Sequence, residues 1–181
     1  SNINNYQVFA SCEGNYYENE GSLWTITNGE IDAYENNPIG SVAQSMLVHD
    51  NQLFVIVNVS GELQVFDIVK NDIILSNIID TDSSGPREMV VYNNYLYFTN
   101  WYSNNIKYIS LDNFEILGEI PLDGLPEDIV SDGDYLWVTI NMNMDWSDGN
   151  KVLKINTLTN QIEEYIVGLG PRNLVLYNED V

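Results

Sequence analysis

The stretch GPREMVVYNNYLYFTN, residues 85–100, decides the fold. A short apolar run, Met89–Tyr92, meets the polar pair Asn93-Asn94. Tyr95–Thr99 answers it, rich in aromatic and β-branched residues. Two such runs joined across a two-residue Asn turn read as a β-hairpin. The same grammar recurs in VAQSMLVHDNQLFVIVN (42–58), LPEDIVSDGDYLWVTIN (125–141) and GPRNLVLYNEDV (170–181). Met46, Met89, Ile129 and Leu174 fall in one column, and Leu53, Leu96 and Leu136 in another. The first column steps by 43, 40 and 45 residues, a period proper to repeat architectures.

Working outward from that hairpin, a polar loop (Asn100–Asn105) leads to an alternating strand, Ile106–Ser110. The turn Asp112-Asn113 then leads to a fourth strand, Glu115–Pro121. The next repeat has its third strand at Lys151–Asn156, a turn at Thr157–Asn160 and its fourth strand at Gln161–Val167. Tyr6–Glu35 fits strands two, three and four of such a unit, and Arg172–Tyr177 fits a strand one. No helical apolar period of useful length occurs. The expected fold is an all-β propeller of four-stranded antiparallel blades. Residues 1–181 form one propeller domain or part of one, with units near 6–41, 42–84, 85–124 and 125–169, and 170–181 as a lone first strand. Either the last strand completes the first unit and closes four blades, or the chain is a portion of a seven- or eight-bladed ring. Forty-residue blades usually come in the larger numbers, which favours the portion.

Composition narrows the function. Hydrophobic residues make up 44%, too many for a disordered chain. Six Lys+Arg against 27 Asp+Glu give a net charge of −21, which repels phosphate backbones and anionic membranes. Nucleic acid is therefore not an expected partner. No apolar run approaches the ~20 residues of a membrane span. No basic start followed by an apolar stretch opens the chain, so a secretion signal is expected to be already removed. The acidic surface suits a secreted or cell-surface protein. Cys12 is the only cysteine and His49 the only histidine, which rules out an intrachain disulfide and the common zinc sites. Cys12 is expected to be buried in a strand, and His49 to face solvent in a turn.

Two groups of residues carry the candidate chemistry. Loops after second strands supply Trp101, Tyr102 and Trp146, and the starts of first strands supply Gln44, Arg87, Glu127 and Arg172. Arg87 and Arg172 each follow a Gly-Pro at the same repeat position. Aromatic, Met and Asn side chains around two arginines suit a planar, polar-edged small ligand, a glycan or a protein. An equally good reading is architectural, with the arginines pairing Glu88 or Glu127 to tie neighbouring units together. Asp80 and Asp82, in Asp80-Thr81-Asp82-Ser83-Ser84-Gly85, open like a calcium loop, but Val91 stands where its last ligand belongs. Asp145 and Asp148 form a second partial match. Ordinary Asp/Ser turns explain both strings better, so no cofactor is expected beyond a possible calcium ion. Glu13, Glu18, Glu20 and Glu127 could supply a glycosidase-type pair, yet nothing singles out two of them.

Tyr97-Phe98-Thr99-Asn100 and Trp137-Val138-Thr139-Ile140-Asn141, each in its Gly/Pro-led repeat, resemble the signature of the YVTN-type β-propellers. The likeness covers roughly residues 42–181. Glu13-Gly14-Asn15-Tyr16, Gly21-Ser22-Leu23 and Pro38-Ile39-Gly40-Ser41 look like the start of surface-lipoprotein propellers of Bacteroidetes. That resemblance implies cobalamin capture and hand-over to an outer-membrane partner, and no site residue is carried over from it. The leading expectation is a non-enzymatic binding propeller. The alternatives are a lyase or hydrolase using carboxylates or Arg at the axial pocket, and a structural scaffold. A homo-oligomer fits the half-ring reading.

Overall fold

The computed structural model describes residues 6–177. All fifteen regular elements are strands, and no helix occurs among the described residues. The chain divides into two compact units after Ser83.

The first unit opens with β1 (Gln7–Cys12), β2 (Ser22–Thr27) and β3 (Glu30–Ala33), a three-stranded antiparallel sheet in that order. Next come β4 (Ala43–His49), β5 (Gln52–Val57), β6 (Glu62–Val69) and β7 (Asp72–Asp80), a four-stranded meander. The turns form where the sequence tolerates left-handed backbone. Asn28 and Gly29 both have positive φ between β2 and β3, which a two-residue hairpin of the right twist demands. Leu53, Val55 and Val57 alternate onto one face of β5 and meet Leu23, Tyr34 and Phe66 in the core. Each such side chain contributes about 1.5–3 kcal/mol by leaving water.

Asn37 finishes the first sheet with its side chain. Its Oδ1 accepts from Leu23 N–H and its Nδ2 donates to Leu23 O, both at 2.9 Å, so one amide copies a strand neighbour. Asn37→Ala is expected to lower stability by about 1 kcal/mol, read from urea unfolding, because Leu23 N–H loses its acceptor, while Leu23 O keeps the bond from Tyr34 N–H.

The second unit holds two four-stranded meanders. The first is β8 (Pro86–Tyr92), β9 (Tyr95–Asn100), β10 (Asn105–Ser110) and β11 (Ile116–Pro121). The second is β12 (Leu125–Ser131), β13 (Leu136–Met142), β14 (Asp148–Asn156) and β15 (Gln161–Ile166). Tyr97, Ile106 and Ile120 of the first sheet pack on Ile129, Leu136, Val138, Leu153 and Ile155 of the second. Tyr97 stacks on Tyr108 at 5.3 Å, with Tyr95 and Tyr92 alongside. Burial, reinforced by the neighbouring phenols, pushes the Tyr97 hydroxyl up, against a lowering hydrogen bond with Thr157.

Two expectations fail. Residues 172–177 form no strand. Pro171 O accepts from Asn141 Nδ2 at 3.4 Å and Leu174 N–H donates to Asp128 Oδ2 at 2.6 Å, but no ladder runs along them. A strand needs a partner edge, and among the described residues none pairs with this segment. The rest of the expected strand, beyond Tyr177, lies outside the described residues. Cys12 is exposed, not buried, because it ends β1 at the border of its sheet. His49 is the last residue of β4, with 39% of its side chain exposed and Asp50 at 3.6 Å.

Candidate functional site

The inner strands place the candidate residues with β-bulges. The β8 ladder slips between Pro86 and Met89, the β12 ladder between Pro126 and Ile129, and the β4 ladder between Ala43 and Ser45. Arg87, Glu127 and Gln44 occupy these slips. A bulge turns a side chain out of the regular alternation, as functional positions often require. Thr99 and Thr139 hold the bulges open. Thr99 Oγ1 accepts from Glu88 N–H at 3.1 Å and donates to Glu127 O at 2.7 Å. Thr139 Oγ1 accepts from Asp128 N–H at 2.9 Å. No motif in the sequence marks these threonines for the site, although the two share one column of the repeat.

In the second unit, Arg87 and Glu127 make a two-pronged ion pair. Nε lies 3.1 Å from Oε2 and Nη2 lies 2.8 Å from Oε1. The side chains are only 13% and 6% exposed, so the pair sits in a low-dielectric setting where its geometry matters. The Trp101 ring lies 4.3 Å from the guanidinium carbon, a cation–π contact that covers the other face of Arg87. Arg172 approaches the same carboxylate at 3.7 Å from the solvent side and is 69% exposed. The architectural reading of Arg87 is therefore realised in its pairing with Glu127. Both Glu127 oxygens accept from Arg87, which leaves that carboxylate poorly placed as a general base.

The aromatic group builds on this pair. Trp101 N–H donates to Gly85 O at 3.0 Å, and Tyr102 N–H donates to Ser84 O at 2.9 Å, which fixes the start of the loop. Gly85 has φ of +69°, and a Cβ there would lie 2.8 Å from the Tyr102 ring, so the ring rests on glycine backbone. Trp146 meets Trp101 edge-on at 6.1 Å. Trp146 and Tyr102 are 56% and 55% exposed, and Met144 is 54% exposed. Trp101 Nε1 is buried without an acceptor among the described residues. Arg87, Trp101, Glu127, Trp146 and Arg172 thus come together, with Tyr102 adjoining Gly85. Gln44 belongs to the first unit.

The acidic strings behave as turns. Asp80 Oδ1 accepts from Asp82 N–H at 2.8 Å. Asp145 Oδ1 accepts from Ser147 N–H at 3.1 Å, and hydrogen bonds from Ser147 hold the Asp145 carboxyl below its usual range. Asp148 O accepts from Asn143 Nδ2. Among the described residues no group of three or more His, Cys, Asp or Glu side chains converges as a metal site would need. The first unit also holds a polar cleft of about 490 Å³, lined by Asn19, Tyr34, Asn36, Glu62 and Gln64 among others, which no motif in the sequence marks. Its walls come from segments far apart in sequence.

No protein-family model matches the chain, and no curated protein does. Solved structures do resemble it. A protein from Lactobacillus plantarum superposes with a TM-score of 0.63 at 18% identity, over 89% of this chain and 54% of that one. A functionally unknown protein from Desulfotomaculum acetoxidans gives 0.61 at 16% identity, over 89% and 52%. Kuenenia stuttgartiensis hydrazine synthase gives 0.58 at 17% identity, over 67% and 34%. The chain thus spans about a third to a half of these structures' lengths. Likeness at such identities bears on fold alone, and it supports a β-propeller-like all-β fold.

Proposed function

We propose that this chain is a non-enzymatic, secreted or cell-surface propeller module whose sheets are blades, and that it binds glycans on the Trp146–Tyr102 surface. One observation carries the reading. Two aromatic rings, each more than half exposed, border the buried Arg87–Glu127 pair at one remove: Trp146 lies against Trp101, which covers Arg87, and Tyr102 lies against Gly85. Exposed rings of this size cost solvation unless something covers them, and sugar rings offer apolar C–H faces that stack on them. With Arg87 committed to Glu127, exposed Arg172 is the cation left to meet a carboxylate or hydroxyl at the edge of the ligand.

The test is a titration of intrinsic tryptophan fluorescence with neutral and uronic-acid oligosaccharides, with cobalamin included in the same panel. Trp146→Ala and Tyr102→Ala are each expected to weaken glycan binding about tenfold, the loss of one stacking contact. Arg172→Ala is expected to weaken the uronic-acid ligands alone. Binding that ignores both aromatic changes, or a response confined to cobalamin, overturns the glycan reading.

A further inference from the structure

Beyond ligand binding, we propose that a second copy of this chain docks on it by strand addition and sheet stacking. Residues 171–177 of one copy pair with the free edge of β1 in the other.

Both halves of the joint lie in this sequence, and among the described residues no strand pairs with either. β1 is the border strand of a three-stranded sheet in which its other neighbour is β2. Residues 170–177 match the β8 entry at five of eight positions, GPRNLVLY against GPREMVVY, and the other apolar positions stay apolar. They also repeat its backbone start, with φ of +62° at Gly170 and +69° at Gly85. Val175 and Tyr177 are nonetheless 90% and 80% exposed and belong to no sheet. In β8, Val90 faces Tyr97, Tyr92 faces Tyr95 and Pro86 faces Asn100. Carried over by the repeat, Val175 falls opposite Phe9, Tyr177 opposite Gln7 and Pro171 opposite Cys12. Main-chain bonding of this kind gives affinity and side-chain register gives specificity.

The sheet faces match as well. The β8–β11 sheet packs on the β12–β15 sheet through Tyr97, Ile106 and Ile120. Strand register puts Trp137, Val152 and Tyr165 at the corresponding places on the far face of the β12–β15 sheet. On that face Tyr165 is 42% exposed, while Trp137 and Val152 are half-buried and Lys154 lies over the Trp137 ring. The receiving side of such a contact has its counterpart on the outer face of the first sheet. There Val8, Trp24 and Ile31 share one face and are 46%, 39% and 66% exposed. One chain therefore carries a donor face and an acceptor face of the same kind of joint. A two-fold pair in which each copy gives and receives satisfies both at once.

Light scattering on residues 1–181 tests this, across concentration and salt. The expected mass is twice 20.6 kDa. Association is expected to strengthen as salt rises, because two chains of charge −21 repel until they are screened. Trp24→Glu and Tyr165→Glu, each checked for folding by circular dichroism, are expected to weaken the dimer at least about tenfold. Pro171→Cys adds a test that does not depend on those variants folding. On oxidation with native Cys12 it is expected to give a covalent dimer on a non-reducing gel. A single-chain mass at about 100 µM in high salt overturns the proposal. So does a disulfide closed within one chain, which assigns the β1 edge to the chain's own end. A dimer indifferent to both glutamate variants overturns it too, since the interface then lies elsewhere.

Discussion

Glu127→Ala is expected to remove about 3 kcal/mol of unfolding free energy, because it strips a buried guanidinium of its carboxylate. Arg87 is only 13% exposed, with Trp101 over one face, and it loses two charge-assisted bonds. Thr99 still holds the backbone of residue 127, so the bulge survives and the loss is electrostatic. A double-mutant cycle isolates the pair. In the background of Arg87→Met the same Glu127→Ala change is expected to cost less than half as much. Urea unfolding followed by tryptophan emission reads both, since Trp101 sits on the pair. Equal losses in the two backgrounds would show that Glu127 acts through packing and not through Arg87. Arg172→Ala is expected to shift stability by less than about 0.5 kcal/mol, being exposed and 3.7 Å away.

Gly149→Ala is the second large effect, at about 3 kcal/mol, and it reaches the aromatic surface. Gly149 is buried at the start of β14, where the β13–β14 ladder slips between Ile140 and Met142. A Cβ there would clash with Ile140 O, and backbone cannot step aside as a side-chain tip can. Forcing the two strands apart loosens residues 141–148, which carry Met144 and Trp146. Asn143 N–H donates to Ser147 O, and Trp146 N–H to Asn143 O, so the loop keeps its form only while its two stems stay in register. The variant is therefore expected to lose glycan affinity along with stability. Gly168→Ala, where an added methyl meets nothing within 4 Å, is the control and is expected to be close to neutral. A Gly149→Ala chain as stable as the parent would mean that the slip is not a constraint.

Most of the strand plan was legible in advance because it is local. Tyr95–Thr99 and the observed Tyr95–Asn100 differ by one residue, and Glu115–Pro121 becomes Ile116–Pro121. Period-two alternation needs only neighbouring residues, and Asn93-Asn94 announces its turn because asparagine tolerates the positive φ found at both positions. The site was legible in part. Residue type and repeat position marked Arg87, Glu127, Trp101 and Trp146, but a column of aligned letters carries no distance.

The chain's letters alone determined an all-β repeat, its turns, its extreme acidity and a short list of positions worth watching. Tertiary structure decided that Arg87 meets Glu127 in a two-pronged pair, 40 residues away, with both residues at bulges of their strands. It also decided that Cys12 is exposed at a sheet border, and that residues 171–177 are no strand despite matching β8. The physical reason is common to these cases. Alternation and turn preference are properties of a segment, whereas burial, ion pairing and strand formation belong to a segment together with whatever lies beside it.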